Sequence, residues 1–222
     1  MKNSHPTFIS GLYAIVDSAY ASLERAGECA DELASGGARI VQLRAKGEGS
    51  AAMLRAALDM RKALAGRAIF IVNDRIDIAL ITGAEGVHLG QDDIPLKDAR
   101  RLLPSSVIGV STHDIQEAKR AEAGGADYIS FGPIFPTRTK KDADTPKGLS
   151  RLEEISASVR IPVVAIGGIT EETILSVLES GASSAALISD ILLAPSIKAK
   201  AASISALIKK RPQPRLSFKP PS

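Results

Sequence analysis

The sequence predicts a single α/β domain, a closed barrel of eight parallel strands each followed by a helix, the (β/α)8 architecture. Three observations point to it. Short apolar runs alternate with amphipathic helical stretches through eight cycles of a 222-residue chain, near the lower size limit for such a barrel. The runs are apolar almost throughout, as strands covered by helices on both faces must be. The glycine fingerprint that an open dinucleotide-binding sheet carries after its first strand is absent.

The elements follow in order. Leu12–Val16 is the first strand, and Leu23, Ala26, Ala30 and Leu33 mark a helix over Ala21–Ser35 that Gly36-Gly37 stops. Ile40–Leu43 is followed by a helix over Ala51–Leu64, and Ala68–Val72 by a short helix over Ile76–Ile81. Gly86–Leu89 precedes a helix opened by Pro95, a favourable first-turn residue. Val107–Val110 leads to a helix over Ile115–Ala123. Asp127–Phe131 leads to a long polar loop that runs to Gly148 before its helix. Pro162–Ile166 and Ser184–Ile188 complete the strands, with helices over Glu171–Glu179 and Ser196–Ile208. The barrel is expected to occupy residues 1–210, and residues 211–222, basic and proline-rich, form a mobile tail with little to bury.

Composition excludes several classes. A net charge of +3, without tryptophan and with few other aromatics, gives neither a basic footprint nor stacking platforms for nucleic acid. No apolar run approaches a membrane span, and the N-terminus lacks a secretory signal, so the chain reads as cytoplasmic. Cys29, the only cysteine, forms no internal disulfide and is expected to be a small buried residue of the first helix.

In this architecture chemistry collects at the C-terminal ends of the strands. Strand two ends in Gln42, Arg44 and Lys46, whose period-two spacing places three donors on one side, suited to a diphosphate. A solvated rim of incidental ion pairs is the alternative. Asn73-Asp74 after strand three and Asp92-Asp93 after strand four bring carboxylates to the same rim, where one Mg2+ fits with water and phosphate completing its shell. Helix capping competes for these aspartates. His88 reads as a hydrogen-bonded core histidine rather than a catalytic base, and Ser111 as a phosphate donor. Thr137, Thr139 and Lys140 share the long sixth loop. Gly167-Gly168 and Ile188-Ser189 leave strands seven and eight, where barrels often hold a phosphate. Two anion sites imply two phosphorylated small-molecule substrates.

Gln42–Lys46, Asn73-Asp74-Arg75, His88–Asp93, Gly132–Lys140 and Ala165–Ile169, in this order and spacing, resemble the motif set of the thiamine phosphate synthase family over about Leu12–Leu193. The resemblance implies a TIM barrel transferase of thiamine biosynthesis that joins hydroxymethylpyrimidine diphosphate to a thiazole phosphate, giving thiamine phosphate and diphosphate. It implies that Gln42, Arg44, Lys46, Asn73, Ser111 and Lys140 bind the pyrimidine diphosphate, with Arg44, Lys46 and Lys140 catalytic. It places Mg2+ on Asp74 and Asp93, and the thiazole phosphate against Thr137, Thr139, Gly168, Ile188 and Ser189. Ala45 departs from the family pattern, in which this position is often Glu. The implied reaction is dissociative, needs no protein nucleophile, and calls for closure of the loop around Thr137–Lys147 against water. Two rival readings stand beside it: a thiazole tautomerase paralogue, and a non-catalytic phosphate-binding regulator. Oligomeric state stays open, a homo-oligomer among the options.

Overall fold

A computed structural model of the chain describes residues 9–137 and 145–210. Strands β1 (Gly11–Asp17), β2 (Ile40–Arg44), β3 (Ile69–Asn73), β4 (Gly86–Leu89), β5 (Val107–Thr112), β6 (Tyr128–Phe131), β7 (Val163–Ile166) and β8 (Ser184–Leu187) close in sequence order, all neighbours parallel. The helices between them are α1 (Ala26–Ser35), α2 (Ser50–Leu64), α3 (Ile76–Thr82), α4 (Leu96–Leu102), α5 (Ile115–Ala123), α6 (Gly148–Ser158) and α7 (Ile174–Glu179). A single turn, α8 (Ser189–Leu192), and a long α9 (Ile197–Lys210) follow β8. The predicted (β/α)8 barrel is the observed fold.

Alternation along each strand divides the side chains into two cores. Leu12, Ala14 and Val16 of β1, Val41 and Leu43 of β2, and Phe70 and Val72 of β3 face outward into the layer under the helices. Cys29 lies in that layer, fully buried on α1. Tyr13, Ile15, Ile40, Ile71, Tyr128, Val164 and Ala186 fill the barrel interior. The inward face turns polar towards the C-terminal ends: Asp17, Gln42, Asn73, His88 and Ser130 are buried there. An eight-stranded barrel is just wide enough for its own side chains, so these polar groups form the floor of the mouth.

The differences from expectation lie at element ends. The first predicted helix splits into a 3-10 turn over Leu23–Arg25 and then α1. The seventh begins at Ile174 rather than Glu171, because the Glu171 amide donates to the Asp190 carboxylate at 3.1 Å and Thr170 N–H to Thr173 Oγ1 at 2.9 Å. One tertiary bond and one local side-chain bond thus hold the backbone amides before Ile174. Strand β1 runs one residue further than predicted, to Asp17, and β5 two further, to Thr112.

One interior position depends on glycine. A Cβ on Gly109 would lie 2.0 Å from Cζ of Tyr128, whose ring occupies the space across β5. Gly109→Ala is therefore expected to cost roughly 1–3 kcal/mol by overpacking, read as a lower midpoint in denaturant at unchanged slope.

Candidate active site

The C-terminal mouth of the barrel holds a cavity of about 980 Å3, lined among others by Gln42, Arg44, Lys46, Asn73, Asp74 and Ser111. Gln42 and Arg44 point inward from β2, and Lys46 follows just beyond the strand. The three donors reach one wall as their spacing predicted, but each is already engaged. Arg44 Nη1 meets Asp17 Oδ2 at 2.6 Å, while Asp17 Oδ1 accepts from the Ala19 amide at 2.9 Å. Lys46 Nζ lies 3.3 Å from Asp74 Oδ2. Arg44 is thus held by a buried carboxylate, while Lys46 stays largely exposed beside Asp74.

The acidic side is built by two loops. Asp74 takes the left-handed conformation (φ 63°), and its amide donates to the His88 carbonyl at 2.8 Å, which anchors the turn after β3 to β4. Asp93 Oδ2 accepts from the Gly90 amide at 2.6 Å. Burial, and the hydrogen bond that a protonated Asp74 carboxyl donates to the Asp93 carboxylate, push the Asp74 carboxyl up to about 6, against the opposing pull of Lys46. Neither aspartate takes an N-cap position: Arg75 stands there for α3 and Pro95 for α4. The capping alternative falls away for both. No group of three or more His, Cys, Asp or Glu placed to hold a metal occurs among the described residues. Two touching carboxylates that repel one another suit a hard cation that keeps several waters, which is the Mg2+ pattern.

Beneath these residues runs a continuous hydrogen-bonded chain. Ser130 Oγ and Ser111 Oγ both contact His88 Nε2 (3.2 and 3.0 Å) and lie 3.4 Å from one another, and His88 Nδ1 contacts Tyr128 Oη (3.0 Å). Tyr128 Oη contacts Tyr13 Oη (2.9 Å), Tyr13 donates to Gln42 Oε1 (2.6 Å), and Gln42 Nε2 donates to Asn73 Oδ1 (3.2 Å). His88 is therefore the hydrogen-bonded interior histidine that its position in β4 predicted. Full burial pushes the Tyr13 and Tyr128 phenols well up, so both remain protonated.

The opposite wall carries Gly167 and Gly168, with φ of 97° and 65°. A Cβ on Gly167 would lie 2.5 Å from Cβ of Pro133, and one on Gly168 2.5 Å from the Pro136 carbonyl. These glycines let the sixth loop lie directly on the seventh. Ile134 N–H donates to the Ile166 carbonyl at 2.9 Å, and Phe135 N–H to Gly167 at 3.0 Å. Thr137, Gly168, Ile188 and Ser189 all line the cavity. Thr139 and Lys140 lie outside the described residues, as do residues 138–144 of the expected closing loop and the tail, 211–222.

Residues 12–191 match the family model described as thiamine monophosphate synthase. The thiamine-phosphate synthase of Shouchella clausii is 43% identical over 204 residues, covering 91% of this chain and 98% of that protein. That of Lawsonia intracellularis is 44% identical over 188 residues, covering 84% and 87%. Among solved structures, thiamine phosphate pyrophosphorylase from Pyrococcus furiosus superposes with a TM-score of 0.82 at 35% identity, covering 90% of this chain and 95% of that one. The chain belongs to the thiamine monophosphate synthase family.

In this thiamine monophosphate synthase family member, several polar residues in or behind the cavity wall escaped the sequence analysis. Tyr13, Tyr128, Ser130 and Asp190 line the cavity, and Asp17 lies buried behind Arg44. Asp17 had a signal: Tyr13, Ile15 and Asp17 share the period-two face of β1, and extending that strand by one residue reveals it. Asp190 lines the mouth from α8 and is tied back to Lys200 of α9 at 3.3 Å. Nothing local marks that pair, which bridges two helices. No helix among the described residues is long and apolar enough to cross a membrane.

Proposed function

We propose that this cavity condenses hydroxymethylpyrimidine diphosphate with a thiazole phosphate to give thiamine phosphate and diphosphate, with one Mg2+ per site, in the cytoplasm. The observation that carries the assignment is Asp74, in contact with Asp93 and beside Lys46, on a wall shared with Arg44 that faces a separate glycine-bearing wall across one cavity. One wall suits a departing diphosphate and the other an incoming phosphorylated nucleophile. A single-substrate isomerase needs only one of them.

Asp74 and Asp93 would hold the Mg2+, which when bound supplies positive charge to the departing diphosphate oxygens. Arg44, fixed by Asp17, presents its guanidinium to the same oxygens, and Lys46 adds a point charge. Lys140 fills the same role from the sixth loop. The carbon–oxygen bond to diphosphate breaks first, leaving a pyrimidine methylene cation that the ring amino group stabilises. The thiazole nitrogen then attacks that carbon. Gln42 and Asn73 hold the pyrimidine over the barrel floor, and Ser111 stands at the diphosphate end. Thr137, Thr139, Gly168, Ile188 and Ser189 orient the thiazole phosphate. No side chain acts as nucleophile, in keeping with a cavity whose His88 is held in an interior chain and whose His113 is paired with Glu117.

The deciding experiment is thiamine phosphate formation from the two substrates with and without Mg2+. Turnover that a chelator abolishes and Mg2+ restores supports the assignment. Conversion of the thiazole phosphate alone points instead to a tautomerase, and binding without conversion to a regulator. The raised Asp74 carboxyl sets a pH dependence with a definite sign. Protons compete with the cation for this group, so apparent Mg2+ affinity is expected to be flat above about pH 7 and to weaken as pH falls through about 6. Calorimetric Mg2+ titration between about pH 5 and about pH 8 measures it.

A further inference from the structure

The loops after β7 and β8 are fastened together by one ammonium that no step of the proposed condensation uses. Lys200 Nζ of α9 lies 2.8 Å from Glu171 Oε2, beyond the glycine pair of β7, and 3.3 Å from Asp190 Oδ2, next to Ser189. The Glu171 amide donates to the same Asp190 oxygen at 3.1 Å, and Ser203 Oγ of α9 donates to Glu171 Oε1. Hydrogen bonds from Lys200 and then Ser203 hold the Glu171 carboxyl below its usual range, and Glu171 in turn raises the Lys200 ammonium. Both groups therefore stay charged at neutral pH.

Asp190 is the odd member of this cluster. It lines the cavity, and only its Oδ2 has a partner among the described residues. A carboxylate and a phosphate seek the same amide and hydroxyl donors. If released, the Asp190 carboxylate would rival an incoming phosphate twice over, by repelling it and by occupying its donors. Tied to Lys200, it is neither uncompensated nor free to turn.

Resting on the thiazole phosphate reading above, we propose that Lys200 is a positioning residue for that substrate, acting through Asp190: it keeps this carboxylate charge-paired and out of the phosphate subsite. The effect is confined to one substrate. Gln42, Arg44, Asn73 and Ser111, proposed for the pyrimidine diphosphate, stand on β2, β3 and β5, away from the Lys200 cluster at β7 and β8.

Calorimetric titration with the thiazole phosphate alone, beside steady-state kinetics, tests this. Lys200→Gln keeps hydrogen-bond donors but loses the charge. It is expected to weaken thiazole phosphate binding and raise its KM by roughly tenfold, the scale of one charge-assisted contact. KM for the pyrimidine diphosphate and kcat at saturation are expected to stay within about twofold of the parent. Lys200→Arg is expected to retain parent affinity. Lys200→Gln combined with Asp190→Asn is expected to regain most of the lost affinity, because the rival carboxylate is gone. Equal weakening of both substrates, or a loss that the double variant does not recover, overturns the proposal. Circular dichroism monitors folding. If Lys200→Gln does not fold, Asp190→Asn alone decides: thiazole phosphate binding at least as tight as the parent's supports the proposal, and weaker binding overturns it. Thiazole phosphate that binds the parent without condensation would sink the enzymatic reading yet leave the Lys200 comparison standing, and no binding to the parent overturns both.

Discussion

Asp74→Asn is expected to lower kcat/KM for Mg2+-dependent condensation by roughly one to two orders of magnitude, since a lost contact to a charged group is worth about 1.5–3 kcal/mol. The same substitution is expected to leave the fold intact. Asparagine tolerates the left-handed backbone at this position, whereas Asp74→Ala would add backbone strain to the loss of a ligand. The stability of the metal-free protein gives an independent check of sign. The folded-state value of the Asp74 carboxyl is raised, so the group destabilises the fold above about pH 6 and ceases to do so below its unfolded value. The neutral amide removes that repulsion with Asp93. Metal-free Asp74→Asn is therefore expected to melt at or above the parent temperature at neutral pH, while Mg2+ no longer raises its melting temperature. Mg2+ that stabilises parent and variant equally would place the cation elsewhere.

This variant also shows how far the residues could be read before the fold was seen. Asp74 and Asp93 were legible because each follows an apolar strand run, and in a parallel barrel every such position faces the same mouth. Gln42, Arg44 and Lys46 were legible because alternation on an extended segment is strict. The partners that give these side chains their geometry were not. Asp17 pairs with Arg44 across twenty-seven positions, and Tyr128 reaches Tyr13 across one hundred and fifteen. Such pairings follow from strand order and register, in which Asp17 stands beside Arg44 and Tyr128 beside Gly109. A periodic pattern supplies the faces of a strand, but not the neighbour that each face meets. The two glycines of the seventh loop have a second cause that periodicity does not show. They were read as openings for a phosphate, and their immediate cause is the close approach of Pro133 and Pro136. Glycine at a left-handed position under a packed loop satisfies sterics first, and any ligand contact is additional.

Asp17 carries the other large effect. It is 1% exposed, accepts from Arg44 at 2.6 Å and from the Ala19 amide at 2.9 Å, and so neutralises and aims the guanidinium while closing its own turn. Asp17→Ala removes both bonds. It leaves Arg44, itself only 14% exposed, without its counter-charge, and breaking a buried pair from one side is costly because the remaining charge stays desolvated. Because Arg44 also borders the open cavity, solvent offsets part of this, and a loss of roughly 2–3 kcal/mol is expected. For a domain of this size that lowers the melting temperature by about 4–12 °C. Asp17→Asn separates anchoring from folding. The amide oxygen still accepts from Ala19, but the group no longer balances the guanidinium charge. This variant is expected to fold and to raise KM for the pyrimidine diphosphate by roughly tenfold, about 1.4 kcal/mol, with KM for the thiazole phosphate unchanged. The asymmetry arises because Arg44 stands on the β2 wall, while Gly168, Ile188 and Ser189, proposed to meet the thiazole phosphate, follow β7 and β8. Equal changes in both constants would mean that Asp17 supports the barrel as a whole, and no change in either would mean that Arg44 needs no anchor to hold its substrate.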